Sequence, residues 1–155
     1  MTTTHNFKDS FARSNQRVSE GATLPYLQSL FPGAIIVTAL PNTPEQLSGI
    51  DYWAIYPDGT RTAIEEKVRD RDYSNDLALE YVSNDMVKTP GWMEKDLACD
   101  YLVVVWQDGH VSSFKWEWLR FAWEQNREQW LKKYRTIKAD NGTHNALCLI
   151  VPIGV

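Results

Sequence analysis

The chain has 155 residues, of which 43% are hydrophobic and 23% charged, with a formal net charge of −4. This composition is typical of one globular domain and excludes an extensively disordered protein. The acidic balance disfavours a simple nucleic-acid-binding module, because such modules are usually basic. Two cysteines are too few for a disulfide framework, and no apolar run has the length of a signal peptide or a membrane span. We therefore expect a reduced, cytoplasmic protein with no membrane partner.

The N-terminal part of the chain is predicted to be helical. Residues 1–6 are polar, and we expect them to be flexible. Phe7 and Phe11 lie four residues apart, which predicts an apolar helix face and a helix that ends near Arg17.

A helix and a strand are predicted next. Thr23 is a typical N-cap, and the Pro-Gly pair after Phe31 predicts that the helix ends there. The apolar, β-branched segment Ala34–Leu40 predicts a strand. Two prolines in Pro41–Ser48 predict a loop.

A β-hairpin is predicted from Ile50 to about Asp70, with its turn at Pro57-Asp58-Gly59. Side chains alternate between the two faces of a strand, so Glu65 and Lys67 are expected on one face of the return strand. Asp51 lies near the start of the first strand, and a register that places it opposite this face brings two carboxylates and an ammonium together. A metal ion would relieve the repulsion between the acids.

The second half of the chain continues the alternation of strands and helices. Leu77–Ser83 fits a strand or a short helix, and its Tyr-Val-Ser sequence favours the strand. The later elements are predicted to be a short helix at Trp92–Cys99, a buried strand at Asp100–Trp106, a return strand at Val111–Phe114, a long helix from Trp116 to about Ile137, and a last strand at Ala146–Ile153. The whole pattern predicts a single α/β domain over residues 1–155 with a mixed sheet.

Asp51, followed after thirteen residues by Glu65-Glu66-Lys67, resembles the signature of the PD-(D/E)XK nuclease superfamily. The resemblance covers roughly residues 7–106, and the phrases Gly-Ile-Asp-Tyr, Glu-Tyr-Val-Ser and Pro-Gly-Trp are similar to those of small phage-encoded members. It implies the restriction-endonuclease-like fold, a central mixed β-sheet flanked by helices on both faces. For a phage-encoded member it also implies the cytoplasm of the host.

The resemblance also implies a metal-dependent nuclease that hydrolyses phosphodiester bonds in DNA. Asp51 and Glu65 would ligate Mg²⁺ or Mn²⁺ together with the main-chain carbonyl of Glu66, and Lys67 would orient or activate the attacking water. Glu80 is a candidate for a further metal ligand. A surface ion pair with Arg69 or Arg71 is the alternative for that residue.

Two positions depart from the pattern. The residue before Asp51 is Ile50 and not proline, and the middle position of Glu-x-Lys is Glu66, where an apolar side chain is usual. Glu66 is therefore expected to face solvent, to pair with a base or to mark a hairpin edge. Two other interpretations stay open: a catalytically inactive nuclease-fold protein that binds nucleic acid or a host protein, as an inhibitor does, and an interaction module in which Asp51, Glu65 and Lys67 are ordinary surface residues.

Basic residues near the hairpin and in the late helix are candidates for DNA binding. Residues 51–100 hold twelve acidic and six basic residues, so a divalent cation would be needed where a phosphate approaches. The candidate phosphate contacts are Arg69, Arg71, Lys88, Lys132, Lys133 and Arg135. For the last three, the alternative is compensation of the helix dipole, since bases are favoured at a helix C-terminus. A homodimer is a further expectation, because many proteins of this fold act as dimers.

Overall fold

The computed structural model describes residues 5–6, 23–69, 76–106 and 109–154, and these residues form a mixed α/β protein that is mostly sheet. Its elements are, in chain order, β1 (His5–Asn6), α1 (Leu24–Leu30), β2 (Ile35–Thr38), α2 (Pro44–Leu47), β3 (Tyr52–Ile55), β4 (Arg61–Val68), β5 (Asp76–Asn84), β6 (Thr89–Pro90), a 3-10 turn (Trp92–Glu94), β7 (Tyr101–Val105), β8 (Val111–Lys115), α3 (Trp116–Lys133), β9 (Thr136–Asp140) and β10 (Asn145–Pro152).

The strands form two five-stranded sheets, which belong to two compact units of the chain. The first unit comprises Met1–Arg13, Asp72–Asp96 and Arg120–Val155, and the second comprises Ser14–Arg71 and Leu97–Leu119. The sequence predicted one central sheet, whereas the described strands make two. Helices on both faces of a single sheet stay a prediction.

The sheet of the first unit has the order β1-β9-β10-β5-β6, with β10 antiparallel to both of its neighbours. Leu79 and Leu149 are buried where β5 and β10 pair, and Trp123 of α3 packs beside Tyr81 of β5 with ring centroids 6.3 Å apart. Arg127 of α3 is ion-paired to Glu94 at 2.6 Å. Burial of an apolar side chain such as Leu79 or Leu149 contributes about 1.5–3 kcal/mol to stability.

The sheet of the second unit has the order β2-β3-β4-β7-β8 and is mixed, because β4 and β7 pair in parallel and all other pairs are antiparallel. One of its faces packs against α1. The core cluster on that face is formed by Leu27, Phe31, Tyr52, Ala54, Ile64, Val103 and Val105. The strand predicted at Asp100–Trp106 is present as β7 and is buried, as its continuous apolar sequence indicated.

The end of the long helix differs from its prediction. The helix was expected to reach Ile137, but α3 ends at Lys133, and Thr136 begins β9. Thr136 and Ile137 are β-branched and pair with Leu149 and Cys148 of β10. Tertiary pairing, to which β-branched side chains are suited, therefore outweighs the helical periodicity that precedes it.

Smaller differences concern the local helices. The predicted loop Pro41–Ser48 contains the single-turn helix α2, whose first turn is capped by the Thr43 hydroxyl. The helix predicted at Trp92–Cys99 is limited to the 3-10 turn. The helix predicted from Phe7 to Arg17 lies outside the described residues. Of residues 1–6, which were expected to be flexible, His5–Asn6 form β1 and pair with β9.

Candidate active site

The predicted hairpin is formed by β3 and β4, which pair in the register Tyr52 to Ile64. Asp58 stabilises the turn, because its carboxylate accepts two hydrogen bonds from Thr60. The main-chain N–H of Thr60 donates at 2.9 Å and the Thr60 hydroxyl donates at 2.7 Å. Tyr52 and Ile64 are buried on the face that α1 covers. The opposite face of β4 therefore carries Glu65 and Lys67, as strand alternation predicted.

Asp51 lies directly before β3, where its main-chain N–H donates to the carbonyl of Ile64 at 2.8 Å. Its carboxylate accepts a hydrogen bond of 2.9 Å from the main-chain N–H of Glu66. A strand residue directs its N–H and its carbonyl to the same side. The Glu66 carbonyl therefore points to the side of β4 on which the Asp51 carboxylate lies.

Glu65 is a buried carboxylate held between an acid and a base. Its side chain is ion-paired with the ammonium of Lys67. Burial raises the pKa of Glu65, and the Asp51 carboxylate raises it further through its charge and a hydrogen bond, whereas Lys67 opposes the rise. Asp51, Glu65 and Lys67 are thus brought together, as the sequence predicted.

Glu66 does not fit any of the three environments expected for it. Its side chain is only 7% exposed and points to the opposite face from Glu65, toward α1. The Thr23 hydroxyl donates to its Oε2 at 3.2 Å and lies 3.3 Å from the Tyr52 hydroxyl. The other carboxylate oxygen, Oε1, is buried without a hydrogen-bond partner among the described residues.

This buried group of Thr23, Tyr52 and Glu66 was missed by sequence reasoning. Burial raises the pKa of Glu66, while hydrogen bonds from Tyr52 and Thr23 oppose that rise. Burial also raises the pKa of Tyr52, and the Glu66 carboxylate adds to it. Thr23 occupies the N-cap position of α1, as predicted, but its hydroxyl makes no capping hydrogen bond and donates to Glu66 instead.

Cys99 lies in the electrostatic surroundings of the same site. The thiol is buried, and burial raises its pKa to about 12, with the negative charge of Glu65 adding to the effect. A thiol with this pKa stays protonated at neutral pH and is a poor nucleophile. This environment agrees with a packing role for Cys99.

The site offers oxygen ligands of the kind that a hard divalent cation prefers. In the described part of the chain, no group of three or more His, Cys, Asp and Glu side chains is arranged to hold a metal. The available set is therefore two carboxylates, from Asp51 and Glu65, and the Glu66 carbonyl. Mg²⁺ is commonly bound by one or two carboxylates, with water and substrate phosphate completing its shell. Mn²⁺ is suited to the same oxygen ligands.

The other candidate residues are distributed over both units. Arg69 follows β4 in the second unit, where its main-chain N–H donates to Val105 at 2.7 Å. Glu80 lies on β5 in the first unit, opposite Cys148, and its part in a metal site stays a prediction. The exposed bases Lys88, Lys132, Lys133 and Arg135 also belong to the first unit, and Arg71 lies outside the described residues.

No family model, no curated protein and no solved structure matches this chain. The candidate site therefore rests on the chemistry and the placement of its own residues. In the described residues, no helix combines the length and the apolar character needed to cross a membrane.

Proposed function

We propose that this chain is a metal-dependent nuclease of the PD-(D/E)XK type that hydrolyses phosphodiester bonds in DNA. The observation that carries the proposal is the placement of the Asp51 and Glu65 carboxylates against each other, beside the Lys67 ammonium. Holding two acids together in a partly buried position costs free energy, and groups with perturbed pKa values cluster at functional sites. A divalent cation offsets that cost.

The protein's own part in the reaction is to fix the donor atoms. Asp51 is oriented by the Glu66 N–H, and Glu65 is fixed by its position on β4 and by its ion pair. These two carboxylates and the Glu66 carbonyl are the proposed ligands. Mg²⁺ or Mn²⁺ bound there would polarise the phosphoryl oxygen and lower the pKa of a bound water.

Lys67 supplies the positive charge of the site. Its side chain is 25% exposed and is ion-paired with Glu65. An ammonium at this position donates hydrogen bonds to an attacking water or to a phosphate oxygen. It also stabilises the negative charge that develops on the phosphate in the transition state.

A second candidate function is the binding of a protein partner without cleavage. Leu40 lies before α2 and Leu47 ends it, and they are 71% and 73% exposed, so both offer apolar surface that a partner could cover. The same chain with this function would bind its partner whether or not Lys67 is present.

The two functions are separated by a cleavage assay with matched variants. Supercoiled plasmid and oligonucleotides are incubated with the protein in Mg²⁺, Mn²⁺ or EDTA, beside Lys67→Ala and the control Lys115→Ala, an exposed lysine of the same unit. We expect metal-dependent cutting that is lost in Lys67→Ala and kept in the control. Absence of cutting by the wild-type protein in every metal would overturn the nuclease proposal.

A further inference from the structure

Arg61 and Trp53 form a stacked pair on the β3–β4 hairpin. The guanidinium carbon of Arg61 lies 4.3 Å from the centre of the Trp53 ring. Arg61 is exposed, and Trp53 is half-buried. A guanidinium is planar and weakly hydrated, so a second flat group can stack on its free side while its edges donate to phosphate.

The pair lies on the same sheet face as the candidate active site. Trp53 is directly opposite Ala63 in the register of the hairpin, and Glu65 is two residues further along β4. Residues two positions apart on a strand share a face, so Trp53 and Glu65 are diagonal neighbours. The Cα atoms of such neighbours are about 7 Å apart. Arg61 and Lys67 extend this row of side chains at its two ends.

The surroundings of the pair are apolar and open. Val37 of β2 pairs with Trp53, and Ile35 pairs with Ile55, so these side chains share the face of Trp53. Ile35, Val37 and Ile55 are all exposed. An apolar strip with one planar cation suits a nucleobase, which has an apolar face and an attached phosphate.

We propose that Arg61, supported by Trp53, is a stacking platform for an unpaired base next to the scissile phosphate. The inference rests on the proposed nuclease function, since it assigns the substrate of that site. A base inside a duplex has both of its faces covered by its neighbours, so only a single-stranded or opened nucleotide offers a face to the platform. The substrate class is therefore single-stranded DNA or the single-stranded part of a branched or frayed DNA. Stacking of this kind tolerates any base.

Binding in EDTA tests the platform without cleavage. The probes are a fluorescent oligothymidine strand, the same strand with abasic sites, and a duplex of equal length. Each is titrated with wild-type protein, Arg61→Ala and the matched control Lys115→Ala, which removes another exposed cation–tryptophan pair of this unit, that of Lys115 with Trp118. Loss of one base stack weakens binding by roughly ten- to hundred-fold.

We expect Arg61→Ala to weaken binding of the normal strand by that factor beyond any loss for the abasic strand, which keeps only the phosphate contacts of Arg61, while Lys115→Ala changes neither. Equal weakening for both strands would show that Arg61 acts only on phosphates and would overturn the proposal. Unchanged DNA binding by Arg61→Ala would also overturn the proposal. If the same variant changed self-association, measured by sedimentation, the face that carries Arg61 and Trp53 would be a protein interface instead. If the base-dependent effect appears but the wild-type protein never cuts in Mg²⁺ or Mn²⁺, the platform stands and the nuclease function fails. If the wild-type protein cuts DNA but binds the normal and the abasic strand equally well, the nuclease function stands and the platform fails.

Discussion

The Asp51 carboxylate accepts a hydrogen bond of 2.9 Å from the main-chain N–H of Glu66, which joins the start of β3 to the middle of β4. The bond satisfies a peptide group at the point where the pairing of β3 with β4 ends. The carboxylate that accepts this bond also lies beside Glu65, and its negative charge raises the pKa of Glu65. One contact therefore contributes both to the fold of the hairpin and to the electrostatics of the candidate site.

Asp51→Asn is expected to abolish cleavage without unfolding the protein. The amide oxygen still accepts from Glu66, but the negative charge needed for metal binding is lost. Removal of one ligand charge is expected to reduce cleavage at least a hundred-fold, as measured on plasmid in Mn²⁺. Urea unfolding provides the comparison: Asp51→Asn is at least as stable as wild type, because it removes one of two neighbouring negative charges and keeps the hydrogen bond, whereas Asp51→Ala also loses the hydrogen bond, worth about 1 kcal/mol. Full cleavage by Asp51→Asn would remove Asp51 from the site.

Lys67→Ala is expected to move the acid limit of metal binding to higher pH. The Lys67 ammonium opposes the rise in the pKa of Glu65, so its removal raises that pKa further. A metal binds the deprotonated carboxylate, and its stabilising effect is therefore lost as the pH falls through the raised pKa. The measurement is the increase in melting temperature caused by Mn²⁺, recorded against pH for wild type and variant. The same acid limit in both proteins would show that Lys67 and Glu65 are not coupled.

Glu66→Gln is expected to stabilise the protein at neutral pH. Burial raises the pKa of Glu66 in the folded state, so the folded protein holds this proton more tightly than the unfolded chain. Wild-type stability therefore falls as pH rises from the ordinary glutamate range through the raised pKa, and the amide variant lacks this loss. We expect a gain of about 1–3 kcal/mol in the unfolding free energy at neutral pH, and little difference in acid.

The matched control for that experiment is the exposed residue Glu128, whose replacement by glutamine should change stability by less than about 0.5 kcal/mol. Urea unfolding at several pH values gives both results. The raised pKa would be contradicted if the difference in unfolding free energy between Glu66→Gln and wild type were less favourable to the variant at neutral pH than in acid.

Thr23→Val is expected to destabilise the protein by about 1–2 kcal/mol at neutral pH, because Glu66 loses a hydrogen-bond donor while it stays buried. Thr23→Ser keeps the hydroxyl and serves as the control. The Thr23 hydrogen bond opposes the rise in the pKa of Glu66. The difference between the two variants should therefore shrink in acid, where Glu66 is protonated. A difference that does not depend on pH would assign the effect to packing alone.

Gly49→Ala is expected to cost more stability than Gly59→Ala. Both glycines have a positive φ, +93° and +84°, in which an L side chain costs about 1–2 kcal/mol. A Cβ at Gly49 would lie 2.9 Å from Cδ2 of Leu97, whereas nothing lies within 4 Å of one at Gly59. Thermal unfolding of the two variants measures the difference. Equal losses would show that Leu97 moves without cost.

Local signals in the sequence predicted several elements well. Pro-Gly after Phe31 agrees with the end of α1, and the turn at Pro57-Asp58-Gly59 joins the two strands of the hairpin. These predictions succeeded because proline and glycine restrict the backbone at their own positions. The predicted end of α3 was wrong, because Thr136 and Ile137 form a strand only through their pairing with β10.

The sequence by itself determined that Asp51, Glu65 and Lys67 belong to one hairpin, since strand alternation and a tight turn are local properties. Only the tertiary structure decided the environment of Glu66. Its partner Thr23 lies 43 residues away and reaches it because α1 packs on the sheet. The described strands are also divided between two sheets, a choice that no local pattern specifies. Strand pairing and the burial of a carboxylate depend on contacts between segments distant in sequence, and these contacts exist only once the sheets have formed.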